Sequence, residues 1–173
     1  MPFTHDTGVY NVQSSLTAWL QTQLTANVPP ATGALTLNLN YPDQPLVPPT
    51  VSVTFLGGDA DPMTYHGGVV GATLRGGRRW GLMSIDCWVS TTHSDWRAEL
   101  MQMQDSITKA FMTLLATGGS IPIYDFYTSS AAPATVAYRV FIGWVRESET
   151  APDPNPAIKR KHLMVQYNWI ERA

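Results

Sequence analysis

The stretch Trp80–Leu115, WGLMSIDCWVSTTHSDWRAELMQMQDSITKAFMTLL, changes its hydrophobic period halfway through, and that change decides the fold. In its first part Met83, Ile85, Cys87 and Val89 fall on alternate positions, as in a β-strand. Leu82 and Trp88 share the opposite side with Asp86, so both sides are apolar apart from one carboxylate. This predicts a central strand, or one whose outer face meets another subunit. In the second part Trp96, Leu100, Met103, Ile107, Phe111 and Leu114 step by four, three, four, four and three, the stripe of an amphipathic helix. Thr92 and Asp95 have the form of a capping box with Asp for the usual Glu. Gly118 and Gly119 supply the stop.

Working outward, a first helix spans roughly Asn11 to Thr25, with Val12, Leu16, Trp19, Leu20 and Leu24 on one stripe and Pro29 and Pro30 ending it. Leu35, Leu37, Leu39 and Tyr41 alternate as a half-buried strand. The proline-rich YPDQPLVPP cannot pair inside a sheet, and a strand with Val51, Val53 and Phe55 on one side follows it. Beyond the second helix come a short apolar strand at Ile121–Tyr127, a turn at Ser129–Ala134, and two long alternating runs. Val136 to Trp144 and Leu163 to Trp169 form a natural hairpin pair. The order is α-β-β-β-α-β-β-β. One mixed or mainly antiparallel sheet with both helices packed on one face satisfies it, an α+β fold in a single domain over residues 1–173.

Two connections are too long for ordinary hairpins: Gly57–Arg79, GGDADPMTYHGGVVGATLRGGRR, and Arg146–Ala157, RESETAPDPNPA. Loops beyond roughly a dozen residues are functional or disordered. They read as arms, over 57–79 and 146–161, that reach other proteins.

Composition points the same way. Charged residues are 14% of the chain, against about a quarter in ordinary domains, and there are six Trp, seven Tyr and seven Met. Aromatics and Met are enriched at interfaces and Lys and Glu depleted, so part of the surface is expected to be covered by partners. A net charge of −2 provides no global field for nucleic acid. The lone Cys87 allows neither an internal disulfide nor a Cys-based zinc site. No secretory signal and no membrane-length apolar run is present, which predicts a soluble chain in a reducing cytoplasm.

Chemical signatures are missing. His5, His66, His93 and His162 stand at no metal-ligand spacing. His93 with Asp95, or His66, is the only opening for a small enzyme, and Asp at a helix N-terminus is favoured by electrostatics alone. Asp59 and Asp61 open like a calcium loop whose later ligands do not follow. No cofactor, metal or catalytic residue is expected. The candidate contact residues are Tyr65, Arg75, Arg78 and Arg79 in the first arm with Trp80 just after it, and Glu147, Glu149, Lys159, Arg160 and Lys161 in the second. Arginines among glycines suit bidentate pairing with carboxylates on a neighbouring subunit.

The first helix ending in a proline pair, YPDQPLVPP leading into TVSVTFLG, the strand GLMSIDCWVS and the helix SDWRAELMQMQDSITKAFMTLL together resemble the tail-terminator, or tail-completion, proteins of long-tailed bacteriophages. That resemblance covers most of the chain at the level of element order. It implies a ring, typically hexameric, in the virion at the head–tail junction, assembled in the host cytoplasm. Such a ring caps the tail tube protein, ends tube polymerisation and joins a head-completion or connector protein. Genomic DNA passes through its lumen without sequence-specific binding. A head-to-tail connector, or neck, protein of the same virion is the alternative. The family has no catalytic residue to transfer.

Overall fold

The computed structural model describes residues 8–27, 36–39, 48–60, 76–92, 94–129, 131–148 and 156–172. Over these the elements run α1 (Val9–Asn27), β1 (Thr36–Leu39), β2 (Thr50–Ala60), β3 (Gly76–Ser90), α2 (Trp96–Thr117), β4 (Ile121–Tyr124), β5 (Thr135–Ser148) and β6 (Ile158–Arg172). This is the α+β order that the hydrophobic periods give. Across the sheet the strands run β1-β2-β3-β6-β5-β4. β2 to β6 pair antiparallel and the short β1 joins β2 in parallel. The hairpin of β5 and β6 is present, but β6 also inserts beside β3, whose entire length it pairs.

Both helices pack on one side of the sheet. Val12, Leu16, Leu20 and Leu24 of α1 and Leu100, Met103, Ile107 and Phe111 of α2 join one cluster with Val51, Val53, Met83, Ile85, Cys87, Val89, Leu163 and Val165. Trp19 of α1 meets Phe111 of α2 with ring centroids 4.9 Å apart. Burying each such side chain contributes about 1.5–3 kcal/mol. The α2 stop is built as its glycines imply: Gly118 takes φ +61°, and the Gly119 amide donates to the Leu114 carbonyl at 2.8 Å. The capping box at its start does not form. Asp95 occupies the cap position without a side-chain cap bond, and the Thr92 hydroxyl pairs with Ser90 Oγ at 2.8 Å. The helix begins at Trp96, three residues later than the box requires, so Thr92 stands ahead of the cap position rather than in it.

α1 does a second job at the sheet's end. Its Asn11 and Ser15, one turn apart and fully buried, bind the side of β4 turned away from β5. Tyr124 N–H donates to Ser15 Oγ at 2.8 Å and Phe126 N–H to Asn11 Oδ1 at 2.9 Å. Side chains of a helix thus satisfy an edge that would otherwise present unpaired amides.

The arms are shorter than their sequences imply. Residues 57–60 belong to β2, where 58–60 pair with 79–81 of β3; 76–79 belong to β3, where they pair with β6; and 146–148 and 158–161 belong to β5 and β6. The glycines explain the first case. The ladder shifts register between Phe55 and Gly58, with Gly57 at φ +90°. At Gly58 a Cβ would stand 2.0 Å from the Trp80 carbonyl oxygen, so only glycine lets the two strands close. Residues 61–75 and 149–155, with Tyr65, Arg75, His66 and Glu149, lie outside the described residues, as does His93.

Candidate interaction surface

The side of the sheet away from the helices is a grid that the strand registers fix. Directly opposed residues share a face. One row runs Trp80 of β3, Asn168 of β6, Phe141 of β5, with Asp59 at the β2 position. The next runs Leu82, Gln166, Trp144; the next Ser84, Met164, Arg146; then Asp86 opposite His162, and Trp88 opposite Arg160. Arg78 and Ile170 flank the first row.

The two ends of this face differ. Around Trp80 it is open: Phe141 is 48% and Ile170 40% exposed, and Trp80, Leu82, Trp144, Met164, Gln166 and Asn168 are half-buried. The exposed Arg146 lays its guanidinium over the Trp144 ring at 5.0 Å. A register shift between Ile142 and Trp144 brings in Gly143. A Cβ there would meet Gln166 Oε1 at 2.3 Å and Asn168 Nδ2 at 3.0 Å, so both amides lean over the glycine. Aromatic rings, two amides and an arginine on a rigid ladder match the residue types of protein-binding surfaces.

Around Asp86 the same face is closed. His162 Nδ1 lies 2.9 Å from Asp86 Oδ1 and 3.1 Å from Ser84 Oγ, and Ser84 Oγ donates to Asp86 Oδ2 at 3.0 Å. Arg160 Nε stands 3.9 Å from Asp86 Oδ1, and its guanidinium lies 5.0 Å from the Trp88 ring centre. Trp88 Nε1 donates to Ser52 Oγ at 2.9 Å. Ser, His and Asp in contact invite comparison with a hydrolase triad, but the geometry is wrong. A triad needs the carboxylate on one imidazole nitrogen and the serine on the other. Here both meet Nδ1, so the imidazole cannot relay a proton between them. The cluster is a buried polar network that joins β3 to β6.

The sequence-derived contact residues divide accordingly. Arg78 is exposed, and Arg79 and Trp80 are half-buried on β3; Trp80 belongs to the open rows. Glu147 and Lys161 are exposed, and Lys159 half-buried, at the hairpin end of β5 and β6. Arg160 is drawn into the Asp86 network and serves the interior of the face. Phe141, Trp144, Gln166 and Asn168 were not singled out by the sequence, though their strands were. For Phe141, Gln166 and Asn168 the positions alternate to the core residues hold the signal, which needs the β3–β6–β5 order to be read; Trp144 falls in the alternation of Val140 and Ile142, and the register shift between Ile142 and Trp144 turns it to the open face instead.

Between α1 and α2 lies a shallow groove of about 430 Å³ lined by Trp19, Gln23, Ser106, Lys109, Ala110, Thr113 and Leu114. Its lining has no Asp, Glu, His or Cys. Among the described residues no cluster of metal-ligating side chains occurs, and no helix is long and apolar enough to cross a membrane. Burial, with the Asp86 charge adding to it, pushes the Cys87 thiol far above its ordinary range, so it is held neutral. Asp95 stands exposed at the α2 start.

No family model and no curated protein matches the chain. Among solved structures it is similar to a chain of the virion of a native gene transfer agent particle, at 14% identity and a TM-score of 0.41, over 94% of this chain and 98% of that one. A likeness of that degree carries no structural or functional argument.

Proposed function

We propose that this chain is a structural virion protein that forms a ring capping the phage tail tube, ends tube polymerisation and joins tail to head. The observation that carries the reading is the open end of the helix-free sheet face. It sets Trp80, Phe141 and Trp144 around two amides and an exposed arginine, with no described acid–base pair beside them. Surfaces of this composition bind by complementarity rather than by chemistry. The Asp86–His162–Ser84 cluster supports the same side, because Ser84 and Asp86 are buried and meet the same imidazole nitrogen, which is not the arrangement of a triad. The sequence resemblance to tail terminators supplies the specific role. At the β4 end the Tyr124 and Phe126 amides are already taken by α1, which disfavours extension of the sheet by a neighbouring subunit at those positions.

Mass photometry and electron microscopy of the purified chain, alone and with isolated tail tubes, test the reading. A closed ring that binds tube ends and stops their growth is expected. A chain that stays monomeric and leaves tube ends free sinks the proposal, and a ring that binds only the head side moves it to the connector role.

A further inference from the structure

The open rows are bracketed by arginines, although the chain's net charge is −2. Val140 and Ile142 face the core, so Arg139 and Phe141 share the open side of β5. Beyond the register shift Trp144 and Arg146 return to that side. One strand thus carries arginine, ring, ring, arginine, and both arginines are exposed. The shift takes up Gly143, so six strand steps, about 20 Å, separate the two arginine Cα atoms. Resting on the assembly reading above, we infer that β5 receives an extended acidic segment of a partner protein. Its carboxylates pair with Arg139 and Arg146, and its apolar middle covers Phe141 and Trp144.

Charge selects the partner. Among the described side chains on this side of β3, β5 and β6 the one carboxylate is Asp86, and Ser84 and His162 enclose it. Asp59 holds the β2 edge of the first row, on the far side of Trp80 from β5. Neither Arg139 nor Arg146 has an ion-pair partner among the described residues. Both are nevertheless held in place. Arg139 Nη2 donates to the Ser120 carbonyl at 2.9 Å and Nε to its hydroxyl, which leaves three of five N–H donors. Arg146 lies over the Trp144 ring. A guanidinium fixed in this way pairs with a carboxylate at little further entropic cost. Single-stranded nucleic acid is also anionic, but stacking successive bases needs successive free ring faces. Here Arg146 covers one face of Trp144 and the indole is half-buried, so along β5 only Phe141 presents a largely open ring. The Gln166 and Asn168 amides, gathered over Gly143, favour an extended segment. They donate to carbonyls and accept from amides, groups that a helix spends on itself and an extended chain does not.

The probe is the peptide acetyl-Glu-Pro-Leu-Pro-Leu-Pro-Glu-amide, which as a polyproline helix sets its carboxylates about 19 Å apart. A second peptide has Lys at both ends. Binding to the full chain is read by tryptophan fluorescence, and its place by the side-chain amide signals of Gln166 and Asn168 in NMR. The Glu-ended peptide is expected to bind at least tenfold tighter than the Lys-ended one, with the difference shrinking as salt is added. Arg139→Glu with Arg146→Glu is expected to invert the preference, and Phe141→Ala to weaken both peptides alike, with circular dichroism confirming each fold. Should the double variant misfold, Arg146→Gln is expected to lower the preference at least threefold. Equal binding of the two peptides, or a preference that the arginine variants leave unchanged, overturns the inference. So does an oligothymidylate that binds at least tenfold tighter than the Glu-ended peptide and displaces it, which makes the ligand nucleic acid. Rings that cap tail tubes without peptide discrimination sink this inference and leave the assembly reading standing. A monomer that ignores tube ends but prefers the Glu-ended peptide sinks the assembly reading and upholds the acidic ligand.

Discussion

His162 and Asp86 face each other across β6 and β3, Nδ1 to Oδ1 at 2.9 Å, on the side of the sheet that the helices do not touch. The carboxylate is 3% exposed and the imidazole 16%. Removing the shared acceptor leaves its hydrogen-bond partners unsatisfied in a buried site, which costs about 1–3 kcal/mol for each. Asp86→Ala is therefore expected to destabilise the fold by about 3 kcal/mol in urea unfolding, since Ser84 and His162 lose their acceptor and Arg160 loses the carboxylate 3.9 Å from its Nε. Ser84→Ala keeps the carboxylate and imidazole together and is expected to cost about 1 kcal/mol. Equal losses for the two substitutions would refute this account of the network.

What the sequence conveys and what it hides divide along this pair. The step pattern from Trp96 to Leu114 and the alternation from Met83 to Val89 depend only on local period, and both elements are present with those residues turned to the core. Asp86 stands out in the same alternation as a lone charge among apolar neighbours. Its partner is 76 positions away. That separation is bridged only because β6 pairs with β3 as well as with its hairpin partner, and non-local strand order is not a periodic signal. The arms show a second limit. A glycine-rich run looks like loop, yet at Gly58 the glycine is what lets the strands close, so the ladder extends into a stretch whose composition argues against it. Asn11 and Ser15 look like ordinary polar positions beside the α1 stripe, and only the place of β4 makes them essential.

Asn11 and Ser15 give the next expectation. Each accepts a backbone N–H of the β4 side, at 2.9 and 2.8 Å. Ser15 also donates to the Asn11 carbonyl at 2.6 Å. Ser15→Ala and Asn11→Ala each leave a part-buried amide without its partner, at a cost of about 1 kcal/mol. The double substitution is expected to cost less than the sum, because both act on one contact between α1 and β4. Hydrogen exchange at the Tyr124 amide is expected to quicken at least tenfold in Ser15→Ala, with amides of the β3–β6 ladder unaffected at the same denaturant concentration. Unchanged exchange at Tyr124 would show that the edge is held by something else.

Cys87 offers a probe of the core that needs no mutation. It sits on the helix side of β3 at 0% exposure, among Ile85, Val89 and the α2 stripe. Burial raises its thiol far out of the physiological range, with the neighbouring Asp86 charge acting in the same direction. The thiolate is the reactive species. A thiol reagent at pH 8 is therefore expected to leave the folded protein unmodified and to react at the rate at which the core opens. Added urea should raise that rate in step with global unfolding measured by fluorescence. Fast labelling without denaturant would contradict the placement of β3 at the centre of the sheet.

The acid side of the stability curve is expected to depend on Asp125, just after β4. Burial would raise its carboxyl, but hydrogen bonds from the Thr128 hydroxyl, the Asn11 amide and the backbone of Tyr127 and Thr128 outweigh it, and hold the group below its ordinary value of 3.8. A carboxyl with a folded-state value below its unfolded one binds fewer protons when folded. Its stabilising contribution is therefore complete above the ordinary value and is lost as the pH falls through the folded one. Asp125→Asn abolishes that titration while retaining a side chain that accepts from Asn11 and Tyr127. The variant is expected to be less stable than wild type at pH 7 and to lose stability less steeply below about pH 4, so the two curves converge in acid. Thermal unfolding of both proteins from pH 2.5 to 7 measures this. Parallel curves throughout would mean that Asp125 titrates alike in the folded and unfolded chains, and that its bonds to Asn11 and Thr128 hold the β4 turn without favouring the ionised form.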